Sequence, residues 1–281
     1  MSFEKRSAAA LDYFPCHYGR SRNLFRGPRK RMEGDYIAFL GGTDTYGRFV
    51  PRPFPALVED RLGLPCVNFG WMNAGPDAFL NDEAVLAAAQ GARAVVLQVP
   101  GAQNLTNRYY AVHPRRNDRF VEASELMRRL FPGVDFTEYH FTRHLLGALA
   151  AGHPERFAIL KVELQAAWVA RMGELIDRIG RPVLLVWFAR RAPEPVGGAR
   201  GPEIGRDPLF VTAEMLAQIA PRPASVIDAT ASATALAAGT AGMVFADIEA
   251  PAAAELMGPA AHGEAAERIA AHLADMMALE G

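Results

Sequence analysis

The sequence predicts an α/β protein, a three-layer α/β/α sandwich around a mainly parallel, doubly wound sheet. Three observations predict it. Short, wholly apolar runs end at glycines, as strands buried on both faces do. Between residues 36 and 101 these runs alternate with segments of helical spacing in the order β-loop-α-β-α-β, which argues for parallel strands covered by helices. Half of the 281 residues are hydrophobic and 22% are charged, enough apolar surface to build a real core.

In chain order, "YIAFLGG" (36–42) reads as the first strand and "PFPALVEDRLG" (53–63) as a helix closed by Gly63. "PCVNFGW" (65–71) reads as the second strand. The helix 76–91 has Pro76 at its start and Gly91 just past its end. "ARAVVLQVPG" (92–101) is the third strand, and residues 102–122 read as polar and irregular. Helical patterns follow at 122–131, 138–151 and 154–180, and "RPVLLVWFA" (181–189) is the fourth strand. Residues 190–211 form a long Pro- and Gly-rich loop. A helix near 212–220 leads to two weaker strands, "ASVIDAT" and "GMVFADI", around the alanine-rich 229–241. An Ala/Leu/Met-rich helix over 262–279 closes the chain. Without an internal repeat or a clear linker, the expected organisation is one domain over 36–281. It is preceded by a basic, irregular N-terminal arm over 1–35 that carries "RSRNLFRGPRKR".

The formal net charge of −1 gives the whole chain no electrostatic footprint for nucleic acid or an anionic membrane. No apolar stretch is long enough for a signal peptide or a membrane span, so a cytoplasmic protein is expected. The two cysteines, Cys16 and Cys66, have no zinc-like spacing, and no cofactor or metal is expected. His140 and His144 share a helical face but lack a carboxylate pattern, which favours packing or surface roles. Trp168 and Trp187 read as core.

Doubly wound sheets bind ligands at the carboxyl ends of their strands. That rule singles out Gly41–Gly47, Gly70–Gly75, Gly101–Phe120 and Arg190–Asp207. The third of these packs Arg108, His113, Arg115, Arg116 and Arg119 among tyrosines, and Arg190 follows the fourth strand. Arginine forks match carboxylate, sulfate or phosphate, so an anionic small molecule or glycan is the expected ligand. Homo-oligomerisation is left open.

These four stretches resemble the sequence blocks of the SGNH/GDSL hydrolase superfamily in order and spacing over about residues 36–275, with a flavodoxin-like fold implied. In "GGTDTYG" Thr43 stands where the family has its nucleophilic serine, and Gly42 where it has aspartate. "VNFGWMNAG" places Gly70 at the oxyanion glycine, and "PGAQNLTN" offers Gln103 or Asn104 as the amide donor. "GPAAHGEAAERI" retains His262 before the last helix, with Pro259 in place of the family's aspartate. The segment "NLTNRYYAVHPRRNDRF" (104–120), with the GGT-x-T-x-G start, also looks like a group of uncharacterised bacterial proteins.

The resemblance implies a hydrolase or acyltransferase. Thr43 would be the nucleophile or an orienting hydroxyl and His262 the base, with Gly70 and Asn104 at the oxyanion. Thr45, Asp44, Asn73 and Gln103 would line the substrate site. A threonine methyl restricts χ1 and crowds attack. A histidine without its carboxylate loses the group that fixes its tautomer, unless an acid such as Glu255 or Asp44 substitutes. Two further functions fit the residues. One is sulfotransferase-like group transfer, with GGTDTYG holding a phosphate-bearing donor; the other is a non-catalytic scaffold that binds an anion or a partner.

Overall fold

Five parallel strands form the central sheet: β1 (Ile37–Gly41), β2 (Cys66–Gly70), β3 (Ala94–Gln98), β6 (Val183–Trp187) and β7 (Ala224–Asp228). The coordinates are a computed structural model that describes residues 11–194, 204–205, 207–220 and 224–278. The strand order is β2-β1-β3-β6-β7. Counted within this sheet alone, that is the 2-1-3-4-5 order of flavodoxin-like folds, and its direction reverses between β1 and β3. Every residue of β1, β2, β3 and β6 is buried. This explains why these strands read as unbroken apolar runs rather than alternating ones.

The period of two divides each strand between two cores. Ile37 and Phe39 of β1 face one way with Val96, Leu184 and Val186. There they meet α2 (Phe54–Leu62) and the closing helix α11 (Pro259–Ala278), whose Ala265, Ile269 and Leu273 are buried against them. Ala38 and Leu40 face the other way with Val95, Leu97 and Leu185. On that side lie α3 (Pro76–Leu80), α4 (Glu83–Gly91), α6 (Thr142–Gly152) and the long α7 (Pro154–Ile179). Trp168 on α7 is fully buried and donates its indole N–H to Pro100 O at 2.9 Å, and Trp187 is fully buried on β6. The arrangement is the predicted α/β/α sandwich.

Several elements differ from the sequence reading. The stretch 76–91 is two helices, because Asp82 caps the second by accepting from Ala84 and Val85 N–H. The stretch 102–122 carries an antiparallel hairpin, β4 (Tyr110–His113) and β5 (Arg116–Ala123), whose irregular register hides any clean alternation. The helix expected from 122 begins only at Glu125, where the Ser124 hydroxyl caps α5 (Glu125–Leu130). "GMVFADI" is not a strand: Val244 N–H pairs with Phe49 O, and Phe245 packs on Phe49 at 5.7 Å. Its apolar side chains cover a turn instead of joining the sheet. The expected loop 190–211 lies partly outside the described residues.

The described part of the N-terminal arm, from residue 11, is hairpin-like. Cys16 and Phe25 exchange backbone hydrogen bonds of 3.0 and 2.9 Å, and Gly27 N–H reaches Tyr13 O. Tyr18 and Phe25 pack on Phe69 of the edge strand β2, and this covers the sheet edge. Buried Arg26 anchors the arm by donating to Tyr46 O, Gly47 O and Pro51 O at 3.2, 2.6 and 2.8 Å.

Candidate functional site

The carboxyl ends of β1, β2 and β3 meet at the switch point, and one polar side chain joins them. Gln98, the last residue of β3, is buried, and its Oε1 accepts from Gly42 N–H (3.2 Å), Thr45 N–H (3.2 Å) and the Thr45 hydroxyl (2.5 Å). Asn68 of β2 donates to Thr45 O at 2.8 Å. These bonds fix the short helix α1 (Thr43–Tyr46) directly after β1. Thr45 is fully buried and its hydroxyl is spent on Gln98, so it is part of the support and does not face a ligand. Gly70 sits under this turn, where a Cβ would collide with the backbone of Thr45 and Tyr46. Its N–H donates to Asn68 Oδ1 at 2.8 Å. The glycine is required by close packing, and its N–H is engaged away from an oxyanion.

Thr43, the first residue of α1, is half-buried. It accepts from Asn73 N–H at 3.1 Å and donates to Asn73 Oδ1 at 3.2 Å. Asn73 is exposed and holds φ = +57°, a left-handed conformation that asparagine tolerates better than most residues. It is this residue's N–H, not that of Gly70, that reaches the Thr43 oxygen. Asn73 also donates from Nδ2 to Asp118 Oδ2 at 3.1 Å, and its carbonyl accepts from Asn104 Nδ2 at 3.0 Å. Thr142 closes the chain of bonds by donating to Asn104 Oδ1 at 2.8 Å. Asn104 is therefore a buried brace for the Asn73 loop.

The β4–β5 hairpin folds onto the same loop. Trp71 donates its indole N–H to Arg115 O at 2.8 Å, and buried Asn117 accepts from Gly75 N–H at 2.9 Å. Glycine is required at position 75 because a Cβ there would strike Asn104 O.

Asp44 follows Thr43 and is half-buried. Desolvation pushes its carboxyl up to about 6, with nearby Asp207 adding to the rise. The Met257 N–H, which Oδ1 accepts at 3.2 Å, works the other way, as do Gln98 and Arg190. A carboxyl held near 6 is poised to exchange a proton close to neutral pH.

His262 is not brought to Thr43. It lies in the first turn of α11, fully buried, stacked on Phe54 at 5.7 Å and edge-on to Phe188 at 5.1 Å. Its Nδ1 accepts from Phe54 N–H at 3.1 Å, which places the ring proton on Nε2. Burial and nearby Arg26 lower its pKa to about 3, so the ring is neutral in the folded protein. The packing of α11 on α2 places the ring inside the core, between Phe54 and Phe188.

The expected arginine rim is mostly committed elsewhere. Arg108 pairs with the buried Glu163 carboxylate of α7, and its Nε donates to Oε2 at 2.8 Å. Arg190 donates to Ala254 O and Leu256 O at 2.7 and 2.9 Å, and Arg119 lies over the Phe141 ring. His113 Nδ1 accepts from Arg115 and Arg116 N–H and caps the hairpin turn. Arg115 and Arg116 are exposed, and their side chains have no hydrogen-bond or ion-pair partner among the described residues. Gln103 donates to Asp207 Oδ1 at 3.4 Å, and its buried Oε1 has no partner among the described residues.

Gln98 and Asp118 carry the site's geometry and were not singled out by sequence reasoning. The signal for Gln98 was present, as a lone amide inside the apolar run "AVVLQV". Asp118 gave no signal, because its place depends on the hairpin's register.

A family model for a domain of unknown function, DUF6473, matches residues 1–277. The chain belongs to the DUF6473 family. No curated protein matches it. Among solved structures, the DUF6473 chain is similar to the lipase Lip_vut3 from a goat rumen metagenome, at 12% identity and a TM-score of 0.42. That match covers 84% of this chain and 96% of the lipase.

Proposed function

We propose that this DUF6473 chain is an SGNH-like enzyme of acyl transfer, a hydrolase or acyltransferase, with Asp44 as its proton-moving group and Thr43 as its substrate-orienting hydroxyl. The observation that carries the reading is the Thr43–Asp44 pair. It stands where the SGNH-like blocks place a nucleophile, is half-buried at the switch point, and has its carboxyl pushed up to about 6.

The bonding partner of Thr43 argues for orientation rather than covalent attack. The amide oxygen of Asn73 is too weak a base to take a proton from a hydroxyl, and His262 lies in the core. In this reading the Asp44 carboxylate takes the proton of a water, or of an acceptor hydroxyl, as its oxygen bonds the acyl carbon and the carbonyl electrons pass to oxygen. The Thr43 hydroxyl turns from Asn73 Oδ1 to donate to that oxygen. When the intermediate collapses, the acyl–oxygen bond breaks and the leaving alkoxide takes the proton back from Asp44.

Acids and committed arginines, rather than free cations, lie nearest the Thr43–Asp44 pair. Asp118 is bonded to Asn73, Asp207 adds to the pKa rise of Asp44, and Arg108 and Arg190 are held by protein groups. Arg115 and Arg116, whose side chains are free among the described residues, stand on the hairpin that folds onto the Asn73 loop. They are the cations that an anionic part of the substrate or a phosphate-bearing donor would have to use.

The absence of a base hydrogen-bonded to Thr43 also supports a second reading, a non-catalytic scaffold that binds acyl compounds. Turnover of p-nitrophenyl acetate and butyrate separates the two. The enzyme reading expects activity that Asp44→Asn abolishes and Thr43→Val reduces. Binding without turnover would favour the scaffold, and activity indifferent to both substitutions would overturn the site.

A further inference from the structure

The outer face of the N-terminal hairpin has a composition that neither the core nor the crevice explains. Residues 11–31 hold six Arg and Lys against one acid, Asp12. Two of the six are used internally: Arg26 is buried, and Lys30 pairs with Glu59. Arg20, Arg22, Arg29 and Arg31 are exposed. Among the described residues Arg20, Arg22 and Arg31 have no hydrogen-bond or ion-pair partner, and Arg29 contacts only the Tyr18 ring face at 6.0 Å.

Large apolar side chains stand among these cations. Phe14 is 58% exposed and Leu24 48%. Phe14 also holds φ = +46°, an uncommon and costly conformation for a bulky residue, with its N–H bonded to Asp12 Oδ1 at 2.8 Å. The chain thus keeps an aromatic ring outside the core. The hairpin itself is rigidly mounted through Arg26, through Phe25 on Phe69, and through Ser21 and Asn23 on Asp82.

The C-terminal quarter of the sequence has the opposite charge. Residues 207–281 hold ten Asp and Glu against two Arg, and they include β7, at the sheet edge away from the hairpin.

We propose that the exposed arginines and Leu24 of this hairpin, Arg20, Arg22, Leu24 and Arg29, with exposed Phe14 at its base, dock on an anionic lipid bilayer. Arginines supply attraction to lipid phosphates, and the two apolar side chains enter the boundary between headgroups and acyl chains. Free aliphatic and aromatic tips among cations suit a bilayer better than a nucleic-acid duplex, which offers no apolar layer. The same edge adjoins the crevice, since Phe25 packs on Trp71 at 5.8 Å and Trp71 leads through Met72 to Asn73. The inference does not depend on the acyl-transfer reading.

Co-sedimentation of the full chain with vesicles tests it. Vesicles containing phosphatidylglycerol should bind the protein at low salt, and pure phosphatidylcholine vesicles should not. Binding should fall steeply as salt shortens the Debye length. The double variant Arg20→Gln/Arg22→Gln should weaken binding about tenfold or more, as expected from the loss of two surface cations. Leu24→Ser should weaken the salt-resistant part, and Arg129→Glu, a reversal of an exposed arginine on α5, should leave binding unchanged. None of the replaced groups has a buried partner, so each variant should keep the wild-type circular dichroism. Equal binding to both vesicle types, no binding, indifference to the double substitution, or tighter binding to duplex DNA than to anionic vesicles would each overturn the proposal.

Discussion

Thr43 and Asn73 hold each other by two hydrogen bonds, with Asn73 N–H donating to Thr43 Oγ1 at 3.1 Å and the hydroxyl donating back to Oδ1 at 3.2 Å. The pair locks the loop after β2 to the helix after β1. Its geometry depends on Asn73 holding φ = +57°. Asn73→Gly should therefore retain most of the stability, since glycine adopts this conformation freely. Asn73→Ala should cost about 1–2 kcal/mol more than the glycine variant. Denaturant unfolding of the two variants side by side checks the order.

Asp44 makes a pH-dependent contribution with a definite sign. Its carboxyl moves from the ordinary 3.8 to about 6 on folding, because burial disfavours the anion. Between those values the folded state holds more protons than the unfolded one, so stability falls as pH rises through the window and is level above it. Asp44→Asn keeps an acceptor for Met257 N–H without the charge. It should stabilise the protein by about 1–2 kcal/mol at pH 7–8 after allowance for solvent screening, and by nothing below about pH 4. Thermal unfolding across that range reads the difference.

His262 has the opposite dependence. Folding lowers its pKa from 6.5 to about 3, so its contribution is complete above 6.5 and declines as pH falls towards 3. His262→Ala should flatten this acid limb. The substitution should also cost about 2–4 kcal/mol at neutral pH, through the cavity between Phe54 and Phe188 and the lost acceptor for Phe54 N–H. Turnover per folded molecule should be unchanged, because the ring lies in the core and not at Thr43.

Arg26 should be the most sensitive residue of the arm. Arg26→Gln strands carbonyls of the 46–51 turn in a buried setting and should cost about 2–4 kcal/mol. Arg26→Lys should recover only part, because an ammonium cannot reproduce the planar fork. Limited proteolysis within residues 11–31 should accelerate in parallel.

The sheet was legible in the sequence because strands buried on both faces leave unbroken apolar runs, as in "YIAFLGG" and "RPVLLVWFA". The third layer followed from the helical spacing between them. The β4–β5 hairpin was not legible, since its bulged register breaks the alternation that would announce it. "GMVFADI" misled for the converse reason: its apolar residues cover the Phe49 turn without an adjacent strand. At the strand ends, the residues singled out from the sequence include three that the structure links by hydrogen bonds, Thr43, Asn73 and Asn104, with Asp44 next to Thr43 in the chain. The sequence could not reveal that Arg108 and Arg190 are spent on Glu163 and on backbone carbonyls, because those partners lie far away in the chain. His262 was displaced by a few residues of helix: α11 starts at Pro259, so the histidine falls inside it and turns onto α2.

The central claim is that Asp44 moves the proton, and the pH–rate profile of acyl-ester turnover tests it most directly. Wild-type protein should show activity rising with pH through an inflection near 6, as the carboxyl ionises, and Asp44→Asn should lack both that inflection and the activity. A wild-type profile without an inflection in that region, or an Asp44→Asn variant that turns over esters as the wild type does, would contradict the account.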